Sequence, residues 1–163
     1  MKRNINKGAS IIEVIIYTFL AISLLLVITD IFSSLLDKSR ESVSFSEVET
    51  DAKFINQKLL NNFSSATDIL VPSLLNQPTT SLSFLANSTS YSYFLSGSNL
   101  LINEGGIINR LNSYGTQVNN FTVTRLGNSG GKSLLKISYD LRSTIILPKG
   151  YEQKTVKLTL GIR

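Results

Sequence analysis

The chain has 163 residues and a net charge of +5, with no cysteine and no histidine. That length holds one domain with a modest core, and the missing residue types exclude disulfides, thiolate metal sites and the Ser-His-Asp and Cys-His nucleophile arrangements. The charge is uneven: Lys2, Arg3 and Lys7 carry +3 with no acid among the first eight residues, which leaves +2 on the other 155. A nucleic-acid-binding face needs clustered Lys and Arg on the folded part, and no such cluster follows.

The basic opening runs directly into an apolar stretch. Between Ala9 and Thr29 there are 21 residues and one charge, Glu13. As a helix this stretch is about 32 Å long, the thickness of a bilayer's hydrocarbon core. Thirteen of its residues are Ile, Leu, Val or Phe, contributing about −4 to −8 kcal/mol towards insertion, against about 3 kcal/mol for an acid at the centre and less for one near the end. The basic flank predicts a cytoplasmic N-terminus, with residues from about 30 onward outside the membrane. A cleavable secretory signal fits poorly, because the run is too long and Asp30-Ile31-Phe32 follows it in place of a small-x-small site. A plain signal anchor explains the hydrophobicity and the orientation. It does not explain an acid inside the apolar run, five residues after a glycine.

The segment Lys7-Gly8-Ala9-Ser10-Ile11-Ile12-Glu13-Val14 resembles the cleavage and methylation site of type IV prepilins. The resemblance covers residues 2–30. It implies a leader of residues 1–8, orienting charges at Lys2, Arg3 and Lys7, a cut between Gly8 and Ala9 by a prepilin peptidase, and N-methylation of Ala9 by the same enzyme. It also implies that Glu13, the fifth residue after the cut, neutralises the N-terminus of an incoming subunit and sets axial register. The residue after the cut is usually Phe, Met or Leu in this family, and here it is Ala9. That departure bears on methylation and not on cleavage, which depends chiefly on the glycine. The implied partners are the peptidase/methyltransferase, other pilin or pseudopilin subunits and the inner-membrane assembly platform. Nucleic acid enters only if the filament serves DNA uptake.

Helical spacing continues past the membrane. Phe45, Val48, Ala52, Ile55, Leu59, Phe63 and Ala66 recur at steps of three or four. Glu47, Glu49, Asp51, Lys53, Gln57 and Lys58 lie between them, mostly on other faces. The pattern predicts one helix from about Ala9 to about Ala66, roughly 87 Å long. Its membrane part spans 9–29 and its amphipathic part 30–66, and Ser42 and Ser44 allow a bend near 37–44. A coiled-coil partner would explain the stripe too, but the strands that follow favour packing within the chain.

After residue 66 the period becomes two. Ser81–Leu85, Ser90–Leu95 and Asn99–Ile102 read as strands, the last two joined by a hairpin at Ser96-Gly97-Ser98. Phe121–Thr124 opens another strand. Leu135, Ile137, Tyr139 and Leu141 share one face of the next, with Asp140 and Arg142 opposite, and Thr155–Ile162 is the last. Turns fall at 127–132 and 148–152. The expected fold is α+β: a long N-terminal helix covering an antiparallel meander over residues 67–163, the architecture of pilins. The segments FINQKLLNNFSSATDI and YSYFLSGSNLLINEGG resemble those of larger minor pilins and pseudopilins. No proline interrupts the apolar helix and no cysteine pair staples a C-terminal loop, which also favours a minor pilin or pseudopilin.

Several other patterns lead nowhere. Gly127 to Ser133 imitates a phosphate loop, but three residues separate Gly127 from Gly131 where four are needed, and a strand follows where a helix should. Glu104-Gly105-Gly106 reads as a turn. Asp68, Glu104 and Asp140 lack the spacing of calcium ligands. Tyr91, Tyr93, Phe94 and Phe121 could stack on single-stranded DNA, yet without interleaved basic residues they read as packing residues. No metal, cofactor or catalytic constellation is predicted, so the expectation is a filament subunit and not an enzyme. The alternative is a signal-anchored binding or sensor domain that does not polymerise.

Overall fold

A computed structural model describes residues 11–127 and 133–161. Its first element is a single helix, α1 (Ile11–Ser64). No glycine or proline occurs in that span, so nothing in it removes a backbone donor or favours left-handed geometry. The helix includes residues 37–44, and the expected start at Ala9 lies outside the described residues. Two units divide the chain, 1–39 and 40–163.

In the first unit, residues 11–39 are helical and none of them is buried. Ile15, Leu20, Leu24, Leu26 and Ile28 are each more than half exposed, as are most of the apolar side chains around them. The segment is long and apolar enough to cross a membrane.

In the second unit, residues 40–64 of α1 pack on two antiparallel sheets. Val48, Ala52, Ile55, Leu59 and Phe63 are buried, five of the seven residues in the predicted stripe. Phe45 is 55% exposed. Ala66 falls outside the helix, which ends at Ser64 where Ser64 Oγ donates to Asn61 O at 2.7 Å. Asp51 differs from its assignment to an outer face: it is buried at the edge of the stripe.

The strands are β1 (Ala66–Val71), β2 (Pro78–Thr79), β3 (Ser81–Ala86), β4 (Thr89–Ser96), β5 (Asn99–Glu104), β6 (Ile107–Arg110), β7 (Thr116–Leu126), β8 (Leu134–Leu147) and β9 (Gly150–Gly161). They form a five-stranded sheet in the order β1-β3-β4-β5-β6 and a four-stranded sheet in the order β2-β7-β8-β9. The single meander expected from sequence is thus two sheets. Two-residue β2 pairs with β7 and not with its neighbour β3, and β6 ends the first sheet before β7 opens the second. Strands β1, β2 and β6 carry no clean alternation in sequence, which is why the period-two pattern omits them.

Where alternation is clean, the faces match it. Leu135, Ile137, Tyr139 and Leu141 of β8 are fully buried, while Asp140 and Arg142 are half-buried on the other face. The β4–β5 hairpin closes through Gly97 and Ser98, with Ser96 paired to Asn99 and Gly97 at φ +61°. Glycine adopts that left-handed backbone at no steric cost. Between β8 and β9 the turn is shorter than expected, since Leu147 pairs with Gly150.

The core of this unit is aromatic at its centre. Phe84 meets Phe63 edge-on at 5.3 Å and stacks with Tyr91 and Tyr93 at 5.5 and 6.0 Å. Tyr93 and Phe121 are buried and Tyr91 and Phe94 half-buried, so all four act as packing residues. Buried tyrosines need a partner for the hydroxyl. Tyr139 Oη donates to Asn56 Oδ1 at 3.0 Å, and Tyr93 Oη accepts from Asn62 Nδ2 at 2.9 Å. Burial raises the pKa of both phenols well above 10.0. Lys58–Glu104 and Lys154–Glu49 ion pairs, at 3.3 and 2.5 Å, flank the packed helix face.

Candidate functional site

Of the residues singled out by the prepilin motif, Lys2, Arg3, Lys7, Gly8 and Ala9 lie outside the described residues. Glu13 lies within them, in the first described turn of α1, exposed among exposed apolar side chains. It is the only charged residue between Ile11 and Thr29. Tyr17, one turn later, donates its hydroxyl to Glu13 Oε1 at 3.2 Å. Ile12 and Ile16 complete a shallow cleft around the pair. The apolar surround makes an ionised carboxylate costly unless paired. The same surround strengthens any cation pairing that becomes available.

Sequence reasoning located Glu13 by its distance from Gly8 and passed over Tyr17. A tyrosine in an apolar run reads as one more amphipathic aromatic, and only the i, i+4 relation to an acid marks it out.

A second polar cluster lies in the sheet-bearing unit. Residues 111–115 connect β6 to β7 and are tied to α1 by Asp51. Asp51 Oδ2 accepts from the Ser113 backbone N–H at 2.7 Å and from the Thr116 hydroxyl. Asn112 Oδ1 accepts from Leu100 N at 2.9 Å, and its amide donates to Thr116 O at 2.7 Å. The Glu47 carboxylate lies against Gly115 so closely that a Cβ there would overlap it. An open groove lined by Val43, Ser46, Glu47, Thr50, Asp51 and Ser113 runs beside this junction. Asp51 is engaged by two donors on one oxygen, and its chemistry is that of a clamp between helix and loop.

The other acids singled out from sequence stand apart from one another. Glu104 takes Lys58 and the Tyr91 hydroxyl, and Asp140 takes Asn120 and Thr155. Hydrogen bonds from Thr155 and then Asn120 hold the Asp140 carboxyl below its ordinary value, while the hydrogen bond to Glu104 holds Tyr91 above its own. Among the described residues, no three His, Cys, Asp or Glu side chains group as metal ligands. The phosphate-loop look-alike falls largely on 128–132, outside the described residues, and strand β8 follows it. Comparison with protein-family models, with curated proteins and with solved structures gives no match to this chain.

Proposed function

We propose that the chain is a structural subunit, a minor pilin or pseudopilin, of a type IV pilus, type II secretion pseudopilus or competence filament. A prepilin peptidase removes residues 1–8 and methylates Ala9. The apolar helix holds the subunit in the cytoplasmic membrane with the sheet-bearing unit outside. Glu13 meets the Ala9 amine of a neighbouring copy during assembly, and the inner-membrane platform inserts the subunit into the filament. The reading assigns the chain no enzymatic role.

The observation that carries this reading is Glu13 itself, one acid at the exposed start of an apolar helix, five residues beyond a glycine that follows basic residues. An uncompensated carboxylate there costs insertion energy without return. A new α-amine on Ala9, four residues before Glu13 in sequence, supplies compensation between copies. The antiparallel sheets packed on residues 40–64 of the same helix agree with the architecture the motif implies.

The test begins with co-expression of the full chain and a prepilin peptidase, followed by intact-mass measurement. Loss of Met1–Gly8 and gain of a methyl group are expected, and Gly8→Ala abolishes both. Glu13→Ala then inserts normally, but its incorporation into filaments falls about tenfold or more, as ~1.4 kcal/mol of lost pairing would give. A membrane form that keeps Met1–Lys7 beside an active peptidase would instead identify a signal-anchored domain that does not polymerise.

A further inference from the structure

From Ile11 to Thr29 the polar side chains are Glu13, Tyr17, Thr18, Ser23 and Thr29. Within hydrocarbon each must find its partner in the chain, because no water is present to serve as one. Thr18 Oγ1 donates to Val14 O at 2.7 Å, Ser23 Oγ to Leu20 O at 3.1 Å and Thr29 Oγ1 to Leu25 O at 2.8 Å. These three hydroxyls serve carbonyls of their own helix. Tyr17 is different: its hydroxyl stands at the end of a ring and donates to Glu13 Oε1. Helix geometry favours this contact, since a long side chain lies over the turn N-terminal to its own Cα. The next charged side chain along the described helix is Asp30, about 25 Å further on.

We propose that Tyr17 is a positioning residue for Glu13. Its hydroxyl holds one carboxylate oxygen inside the membrane and presents the remaining lone pairs to an ammonium group from a second copy. This rests on the filament reading and adds to it a residue outside the prepilin motif. A carboxylate offers about four acceptor sites, so one donor steers the group without saturating it. Hydrogen bonds to a charged acceptor are the stronger kind, and low dielectric strengthens them further. Fixing the Glu13 rotamer before the second copy arrives also lowers the ordering cost of that encounter.

The test uses the full chain with Tyr17→Phe, Glu13→Gln and the double variant. Tyr17→Phe keeps the ring and removes only the hydroxyl, so insertion and helix formation are retained. One readout needs no filament: infrared spectra of the 13C-glutamate-labelled chain in phospholipid bilayers at neutral pH. Subtracting the Glu13→Gln spectrum isolates the Glu13 carboxyl band. That band shifts in Tyr17→Phe, and an unmoved band overturns the proposal. In cells, Tyr17→Phe incorporates about fivefold less well, the scale of one hydrogen bond, and adds nothing to the loss caused by Glu13→Gln. Wild-type incorporation of Tyr17→Phe, or losses that add, overturns the role in assembly. Wild-type incorporation of Glu13→Gln sinks the assembly role of Glu13 instead, and a wild-type chain that never enters filaments sinks the filament reading, while the infrared comparison still decides whether Tyr17 holds Glu13.

Discussion

Residues 11–39 and 40–64 belong to one helix, yet their apolar side chains meet different surroundings. In the first stretch Ile, Leu, Val and Phe occupy every face and stay exposed. In the second they keep to one face, and that face is buried against the sheets. Hydrophobic content alone separates neither case from a soluble core helix. Angular distribution does: an all-round apolar surface calls for an apolar solvent, whereas a stripe calls for a partner of limited width. The polar residues obey the same division. The hydroxyls of Thr18, Ser23 and Thr29 in the first stretch turn back onto their own helix, while Asp51, Asn56, Lys58 and Asn62 in the second reach across to loops and strands.

Truncating one leucine in each stretch breaks this comparison most forcefully if it is wrong. Leu59 is fully buried and Leu25 is 64% exposed. Leu59→Ala should cost about 2–5 kcal/mol, from lost transfer energy and the cavity left behind. Leu25→Ala should leave the unfolding of the sheet-bearing unit unchanged. Denaturant titration of the full chain in detergent, followed by near-ultraviolet tyrosine signals, measures both. Equal destabilisation by the two would remove the distinction between the stretches.

Asp51 sharpens the contrast on the polar side. Asp51→Ala leaves the Ser113 N–H and the Thr116 hydroxyl without their shared acceptor. The expected loss is about 1–3 kcal/mol, the cost of stranding buried donors. Amide exchange at Ser113 should quicken more than at residues within β8. A variant as stable as the wild type, with Ser113 still protected, would mean that the loop holds its place without the helix.

These cases also mark what was legible beforehand. The stripe Val48–Ala52–Ile55–Leu59–Phe63 could be read because helical spacing places apolar residues on one side, and β8 because alternation is strict from Leu135 to Leu141. Division into two sheets could not, since it turns on two-residue β2 choosing β7 over β3. Nothing in Pro78-Thr79 records that choice, as sheet membership depends on contacts far apart in sequence. Asp51 sits beside Ala52 at the border of the stripe, where an acid ordinarily faces water. Its burial depends on donors 62 and 65 residues away. At the candidate site, Glu13 was legible through Gly8, whereas Tyr17 needed the hydrogen-bond geometry.

The smallest effect expected is at Asp140, on the half-exposed outer face of β8. Thr155 Oγ1 donates to one carboxylate oxygen at 2.6 Å and Asn120 Nδ2 to the other at 2.7 Å. Both favour the ionised form, and nearby Lys157 adds to them against a smaller effect of burial. The folded carboxyl therefore titrates below its unfolded value of 3.8. Its contribution to stability is complete above that value and disappears as pH falls through the lower folded one, because the unfolded chain takes up the proton first. Solvent screening keeps the contribution under about 1 kcal/mol. Asp140→Asn should lower the unfolding midpoint slightly at pH 7, with the gap to wild type closing below pH 3.8. A gap that persists undiminished in acid would assign the effect to side-chain shape and not to ionisation.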